Sequence, residues 1–156
     1  MILQSASAIQ RSAKERSAQD LSAKDRLRRR IILLVEDEPF VREATRGILQ
    51  QHGFVVLSAE NPQEARKIYQ ECGHYIDLVM TDMVLPGGTG HQLGQDLREC
   101  SPEIRVLVTS GYDMPECETE APNFGTYFLA KPYSRRTLVE KIEKILAALP
   151  LERAAS

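Results

Sequence analysis

The chain has 156 residues, 42% hydrophobic and 27% charged, with a formal net charge of −2 at pH 7. That length suits one domain with a real core, and the composition excludes collagen-like and wholly disordered chains. No stretch approaches the roughly 18 uninterrupted apolar residues of a membrane span, and the polar run from Ser5 to Asp25 leaves no signal-peptide core. The expected location is the cytoplasm. Cys72, Cys100 and Cys117 are too scattered for a disulfide framework and form no C-x-x-C pair, so they read as reduced bystanders.

The charge is split unevenly. Residues 1–30 hold eight Lys or Arg against three Asp or Glu, and the rest holds 12 against 19. The large apolar residues of the first segment (Ile2, Leu3, Ile9, Leu21, Leu27) keep no heptad register, so the segment reads as a mobile or partly helical basic extension. It ends in Arg28-Arg29-Arg30. A solvated flank is the reading preferred over a nucleic-acid contact, because no aromatic residues interleave with the basic ones.

From Ile31 onward strands and helices alternate. Ile31 to Val35 is a wholly apolar run, as a strand buried on both faces requires. Pro39 opens a helix to about His52, with Phe40, Val41, Ala44 and Ile48 on one side, and Gly53 stops it. Phe54 to Leu57 is a second strand. Asn61-Pro62 caps and starts a helix running to Cys72-Gly73.

Asp77 to Thr81 is a third strand, followed by Leu85-Pro86-Gly87-Gly88, a loop without regular structure. Thr89 to Cys100 is a helix with Leu93 and Leu97 one turn apart. Arg105 to Thr109 and Thr126 to Ala130 are the fourth and fifth strands. Ser134 caps a last helix to about Leu149, with Leu138, Ile142, Ile145 and Leu149 as its stripe. Tyr112 to Gly125 carries Pro115 and Pro122 and little periodicity, so a turn or loop is expected in place of a full helix. Residues 31–149 form the domain and 150–156 a tail.

This alternation predicts a five-stranded parallel sheet with helices on both faces, whose chemistry collects at the C-terminal strand ends. Those ends carry Glu36-Asp37-Glu38, Asp82, Thr109-Ser110-Gly111 and Lys131-Pro132. Singly, each could be a cap, a turn residue or a solvated charge. Four at successive strand ends are harder to dismiss. Gathered carboxylates repel unless a cation neutralises them, and Mg²⁺ accepts a few carboxylates while keeping waters. A carboxylate can then attack phosphorus, with ammonium and hydroxyl groups stabilising the phosphoryl oxygens.

At these residues the chain resembles the receiver domain of two-component response regulators. The matching stretches are Ile32 to Pro39, Asp77 to Gly87, Val106 to Tyr112 and Phe128 to Tyr133, in order, within about Ile31 to Leu149. The Ser-Gly-Tyr and Lys-Pro-Tyr phrasing is most similar to receivers of hybrid histidine kinases. The resemblance implies a doubly wound, flavodoxin-like fold with an irregular or short fourth helix. It implies Asp82 as phosphoacceptor, and Mg²⁺ held by Asp37, Glu36 through water, Asp82 and the Val84 backbone carbonyl. Ser110 and Lys131 would bind the phosphoryl group, the Lys131–Pro132 bond would be cis, and Ser110 with Phe128 would form a conformational switch.

Three departures stand out. Phe128 has no hydroxyl to hold it in water, so an inward rotamer is expected to dominate. The irregular 112–125 stretch falls where the family places its fourth helix. Val84 is apolar at a position that, like Tyr112, tunes attack of water on the acyl phosphate, so self-dephosphorylation is expected to be slow.

The implied function is that of a signalling phosphoacceptor rather than an enzyme, served by a sensor histidine kinase or a histidine phosphotransfer protein and passing its signal to another protein. No membrane partner is expected, nucleic acid is disfavoured, and a homodimer stays open. Only residues 150–156 follow the last helix, so no DNA-binding output domain is expected. A dehalogenase-type phosphatase would need a second carboxylate where Val84 stands, and a nucleotide site lacks its glycine-rich loop. The alternative that stays is a non-phosphorylated, protein-binding pseudo-receiver. His52, His74 and His91 have no metal-like spacing.

Overall fold

The computed structural model describes residues 30–111 and 125–148. In chain order its elements are β1 (Ile31–Val35), α1 (Pro39–Gln51), β2 (Val55–Ala59), α2 (Pro62–Cys72), a 3₁₀ turn (Gly73–Tyr75), β3 (Leu78–Asp82), β4 (Val84–Leu85), β5 (Gly88–Thr89), α3 (Gly90–Cys100), β6 (Arg105–Ser110), β7 (Thr126–Ala130) and α4 (Arg135–Ala147). Five of the strands form one parallel sheet in the order β2-β1-β3-β6-β7. This is the doubly wound order in which the chain reverses its direction of travel between β1 and β3.

Side-chain alternation along β1 explains its unbroken apolar run. Ile31, Leu33 and Val35 point into one core cluster with Ala65, Ile68 and Tyr69 of α2 and Leu93 and Leu97 of α3. Ile32 and Leu34 point into the other, with Leu49 of α1 and Leu138, Ile142, Ile145 and Leu146 of α4. A strand with a core on each face has no position left for a polar side chain.

The caps form where the sequence places them. Asn61, Thr89 and Ser134 each accept a hydrogen bond from the backbone N–H three residues on, at 2.8, 3.0 and 3.0 Å. Gly53 follows α1 with φ at 87°, a conformation that favours glycine. Buried Arg105 donates to the Ile145 carbonyl and, at 3.1 Å, to that of Ala148, satisfying the last turn of α4.

Several boundaries differ from the expectation. The third strand begins at Leu78 and reaches Asp82, because Asp77 turns its carboxylate back to the Ile31 N–H at 2.8 Å and to the Arg30 guanidinium at 3.1 Å. The second and fourth strands run on to Ala59 and Ser110. Val84–Leu85 and Gly88–Thr89 pair as a two-residue antiparallel ribbon where a loop was expected, with Gly87 at φ 80° turning the chain between them. On α1 the buried residues are Thr45 and Leu49, while Phe40 is 85% exposed and Val41 37%. The 1–29 extension, the stretch 112–124 with its doubtful fourth helix, Cys117 and Leu149 lie outside the described residues.

Candidate functional site

Parallel strands deliver their C-terminal ends to one edge of the sheet, and the central strands β1 and β3 bring Glu36, Asp37 and Asp82 together there. One carboxylate oxygen from each lies within 4.8 Å of the others. Glu36 is buried, Asp37 exposed and Asp82 between the two. Removal from water pushes the Glu36 carboxyl above the ordinary carboxylate range, opposed by the Glu38 backbone N–H and the Lys131 ammonium.

Lys131 follows β7, and its ammonium stands 3.3 Å from Asp82 and 3.8 Å from Glu36. Its backbone N–H donates to the Ser110 carbonyl at 2.8 Å, which ties the lysine loop to the end of β6. Ser110 is buried, 4% exposed, and pairs with Ala130 across the β6–β7 ladder. The Lys131–Pro132 peptide is cis. Phe128 is half-buried and packs on the cluster shared by α2 and α3. Val84 opens β4, just beyond Asp82, with its side chain 58% exposed. The sheet edge thus gathers the acidic residues and the lysine, with Ser110 at the adjoining strand end.

Backbone bonds around Asp82 fix the phosphoacceptor candidate. Its carboxylate accepts from the Met83 N–H at 3.0 Å, and Met83 also donates to the Thr109 carbonyl at 2.8 Å. Gly90 starts α3 so close to this turn that a Cβ there would lie 2.2 Å from the Asp82 carbonyl oxygen. Glycine at this position is a packing requirement rather than a matter of backbone freedom.

Sequence reasoning missed three supports. Arg42 donates to the backbone carbonyls of Glu36 at 2.8 Å and Asp37 at 3.4 Å, and lies 3.8 Å from Glu60. Buried Thr45 of α1 lies beside the half-buried Tyr133, and the two line one groove. One side of α1 (Phe40, Val41, Ala44, Ile48) lines an open groove of about 710 Å³ that continues to Gly111, Lys131 and Tyr133. The helical spacing of those apolar residues was visible; that Phe40 and Val41 stay exposed while Ile48 packs half-buried on the core was not.

The donor set suits Mg²⁺: three carboxylates within reach of one ion, an exposed edge that admits water, and no sulfur or imidazole among the acidic cluster. What the arrangement offers chemically is a carboxylate nucleophile, a place for a hard cation and a fixed ammonium.

Comparisons with known proteins agree with this geometry. Residues 32–143 match the model of the response regulator receiver domain. The chain is 36% identical over 118 residues, 74% of its length, to the sensor kinase CckA of Brucella abortus (strain 2308). It spans only 12% of that kinase. The crystal structure of the receiver domain from the hybrid histidine kinase CckA superposes with a TM-score of 0.64 at 34% identity, covering 74% of this chain and 98% of that one. That of the response regulator TrrA from Thermotoga maritima, in complex with Mg²⁺ and BeF, does so at 0.64 with 27% identity, covering 74% and 98%.

The chain belongs to the receiver domain family of two-component response regulators. No helix among the described residues is long and apolar enough to cross a membrane. The pseudo-receiver alternative finds no support in these comparisons.

Proposed function

We propose that this receiver accepts a phosphoryl group on Asp82 from a phosphohistidine of a sensor kinase or phosphotransfer protein and passes the signal on by a change of shape. The observation that carries this reading is the Glu36–Asp37–Asp82 cluster with the Lys131 ammonium 3.3 Å from Asp82. Asp82 supplies the attacking oxygen, the new bond is O–P, and the P–N bond to the donor imidazole breaks. The freed imidazole nitrogen takes up a proton.

Glu36, Asp37, Asp82 and the Val84 carbonyl would hold Mg²⁺, which when bound neutralises charge on the phosphoryl oxygens. Lys131 and Ser110 hold the same oxygens from the other side. Movement of Ser110 toward the phosphoryl group, with inward rotation of Phe128, would change the surface at β6 and β7. The exposed α1 face, continuous with the site through Gly111 and Lys131, suits the docking of a donor whose histidine must reach Asp82. The location that fits is the cytoplasm.

Intact-mass measurement after incubation with acetyl phosphate tests the reading. One added phosphoryl group that requires both Mg²⁺ and Asp82 supports it. Addition that persists in Asp82→Asn, or proceeds without Mg²⁺, overturns it.

A further inference from the structure

Glu36, Asp37 and Glu38 join the end of β1 to Pro39 at the start of α1, and the first two of them are proposed metal ligands. So short a link has few main-chain carbonyls, and Arg42 takes all three. Its guanidinium donates to the Glu36 carbonyl at 2.8 Å and to that of Asp37 at 3.4 Å, and its backbone N–H donates to the Glu38 carbonyl at 2.9 Å. On the other side the Glu36 N–H is bonded to the Ala59 carbonyl at 3.0 Å, and the Glu38 N–H to the Glu36 carboxylate at 3.2 Å. Pro39 keeps Glu38 extended, at φ −78° and ψ 115°.

The Arg42 side chain is only 14% exposed, and its second terminal nitrogen lies 3.8 Å from Glu60, just after β2. A planar guanidinium with donors at fixed angles can hold two carbonyls at once, which an ammonium on a flexible stem does less well. What Arg42 fixes is where the Glu36 and Asp37 backbones stand, and so where their carboxylates can reach. Mg²⁺ demands near-ideal octahedral geometry at roughly 2.0–2.1 Å, whereas Ca²⁺ accepts looser arrangements at roughly 2.3–2.6 Å. A loop pinned along its main chain therefore suits the smaller, more exacting ion.

We propose that Arg42 is a positioning residue for the Glu36 and Asp37 ligands and sets the preference of the site for Mg²⁺ over Ca²⁺. The assignment rests on the reading that these carboxylates hold Mg²⁺, and adds to it the residue that governs the choice of ion. Charge alone gives the opposite expectation, because a positive charge removed from beside the site favours every dication. The direction of the change thus separates placement from charge.

The test uses the full chain as wild type, Arg42→Ala and Arg42→Lys. Titration calorimetry gives the dissociation constants of Mg²⁺ and Ca²⁺, and urea midpoints show that each variant is folded. In Arg42→Ala the Mg²⁺ constant is expected to rise about 10-fold, as loss of an outer support does. The Ca²⁺ constant should rise less, so that the ratio of the two shifts toward Ca²⁺ by at least about 3-fold. Arg42→Lys keeps the charge but not the planar fork, and should show the same shift to a smaller degree. Where Arg42→Ala does not fold, Arg42→Lys alone decides.

Unchanged Mg²⁺ affinity, an equal loss for the two ions, or tighter binding of both would each overturn the assignment. So would a wild-type chain that binds no Mg²⁺. The expected shift in ratio, together with a wild-type chain that takes no phosphoryl group from acetyl phosphate, supports the assignment and overturns the phosphoacceptor reading alone.

Discussion

The Arg42 guanidinium donates to the backbone carbonyl of Glu36 at 2.8 Å, so α1 holds the acidic loop by its main chain and not by its carboxylates. A carboxylate bonded to Arg42 could not serve a metal ion as freely. Arg42→Ala is expected to weaken Mg²⁺ binding by about 10-fold, as loss of an outer support usually does. It should also cost about 1.5–3 kcal/mol, the range for a hydrogen bond to a charged group. Titration calorimetry and urea unfolding check the two effects.

Gly90→Ala places a methyl group 2.2 Å from the Asp82 carbonyl oxygen, with Thr81 side-chain atoms 2.8 and 3.0 Å away. The start of α3 or the end of β3 must shift. The expected loss is about 1–3 kcal/mol, with slower phosphorylation because the turn carrying Asp82 moves. Urea midpoints and acetyl phosphate kinetics measure both, and an unchanged rate in a stable variant contradicts the second expectation.

Mg²⁺ should stabilise the fold by linkage. At ten times its dissociation constant the gain is about 1.4 kcal/mol, seen as a higher melting temperature than in EDTA. In Asp37→Asn that gain should vanish at the same concentration. The metal-free variant should be no less stable than wild type, because one of three crowded negative charges is gone.

Asp96 and Glu36 give opposite pH signatures. The side-chain hydrogen bond from Arg66 holds the Asp96 carboxyl below its ordinary 3.8. Its contribution is therefore present above that value and lost as pH falls through the lower, folded one. Burial raises Glu36 above 4.5, so its contribution is full below 4.5 and lost as pH rises through the folded value. Arg66→Gln should flatten the acid limb of stability, and Glu36→Gln should raise metal-free stability near neutral pH. Urea midpoints between about pH 3 and pH 7 separate them.

Val84 stands exposed beside Asp82 with no group that could orient a water. The phosphorylated protein should lose phosphate slowly, and Val84→Asn should speed the loss by about 3-fold, a change of less than about 1 kcal/mol in barrier. Equal decay of the two proteins in intact-mass time courses rules this out.

The sheet and its working edge were legible because their signals are local. An unbroken apolar run such as Ile31 to Val35 admits few structures, and the polar residues that end it must sit at the strand's end. Which side of α1 is buried was not legible. Phe40, Val41, Ala44 and Ile48 share one side of the helix, yet Phe40 and Val41 stay exposed, Ile48 is half-buried against the core, and Leu49 is the apolar residue of α1 that is buried. The β4–β5 ribbon was hidden because two-residue strands have no periodicity. Arg42 was missed for a third reason: its partners are backbone atoms, which leave no mark on the spacing of side chains.

Asp77 binds both the Arg30 guanidinium and the Ile31 N–H at the entry to β1. The five residues of β1 then carry the chain about 16 Å across the molecule before Glu36 is reached. Asp77 and Arg30 thus mark one end of the sheet and the acidic cluster the other. A segment joined ahead of Arg30 is therefore tethered at the end of the sheet away from the acidic cluster, with the length of β1 between them.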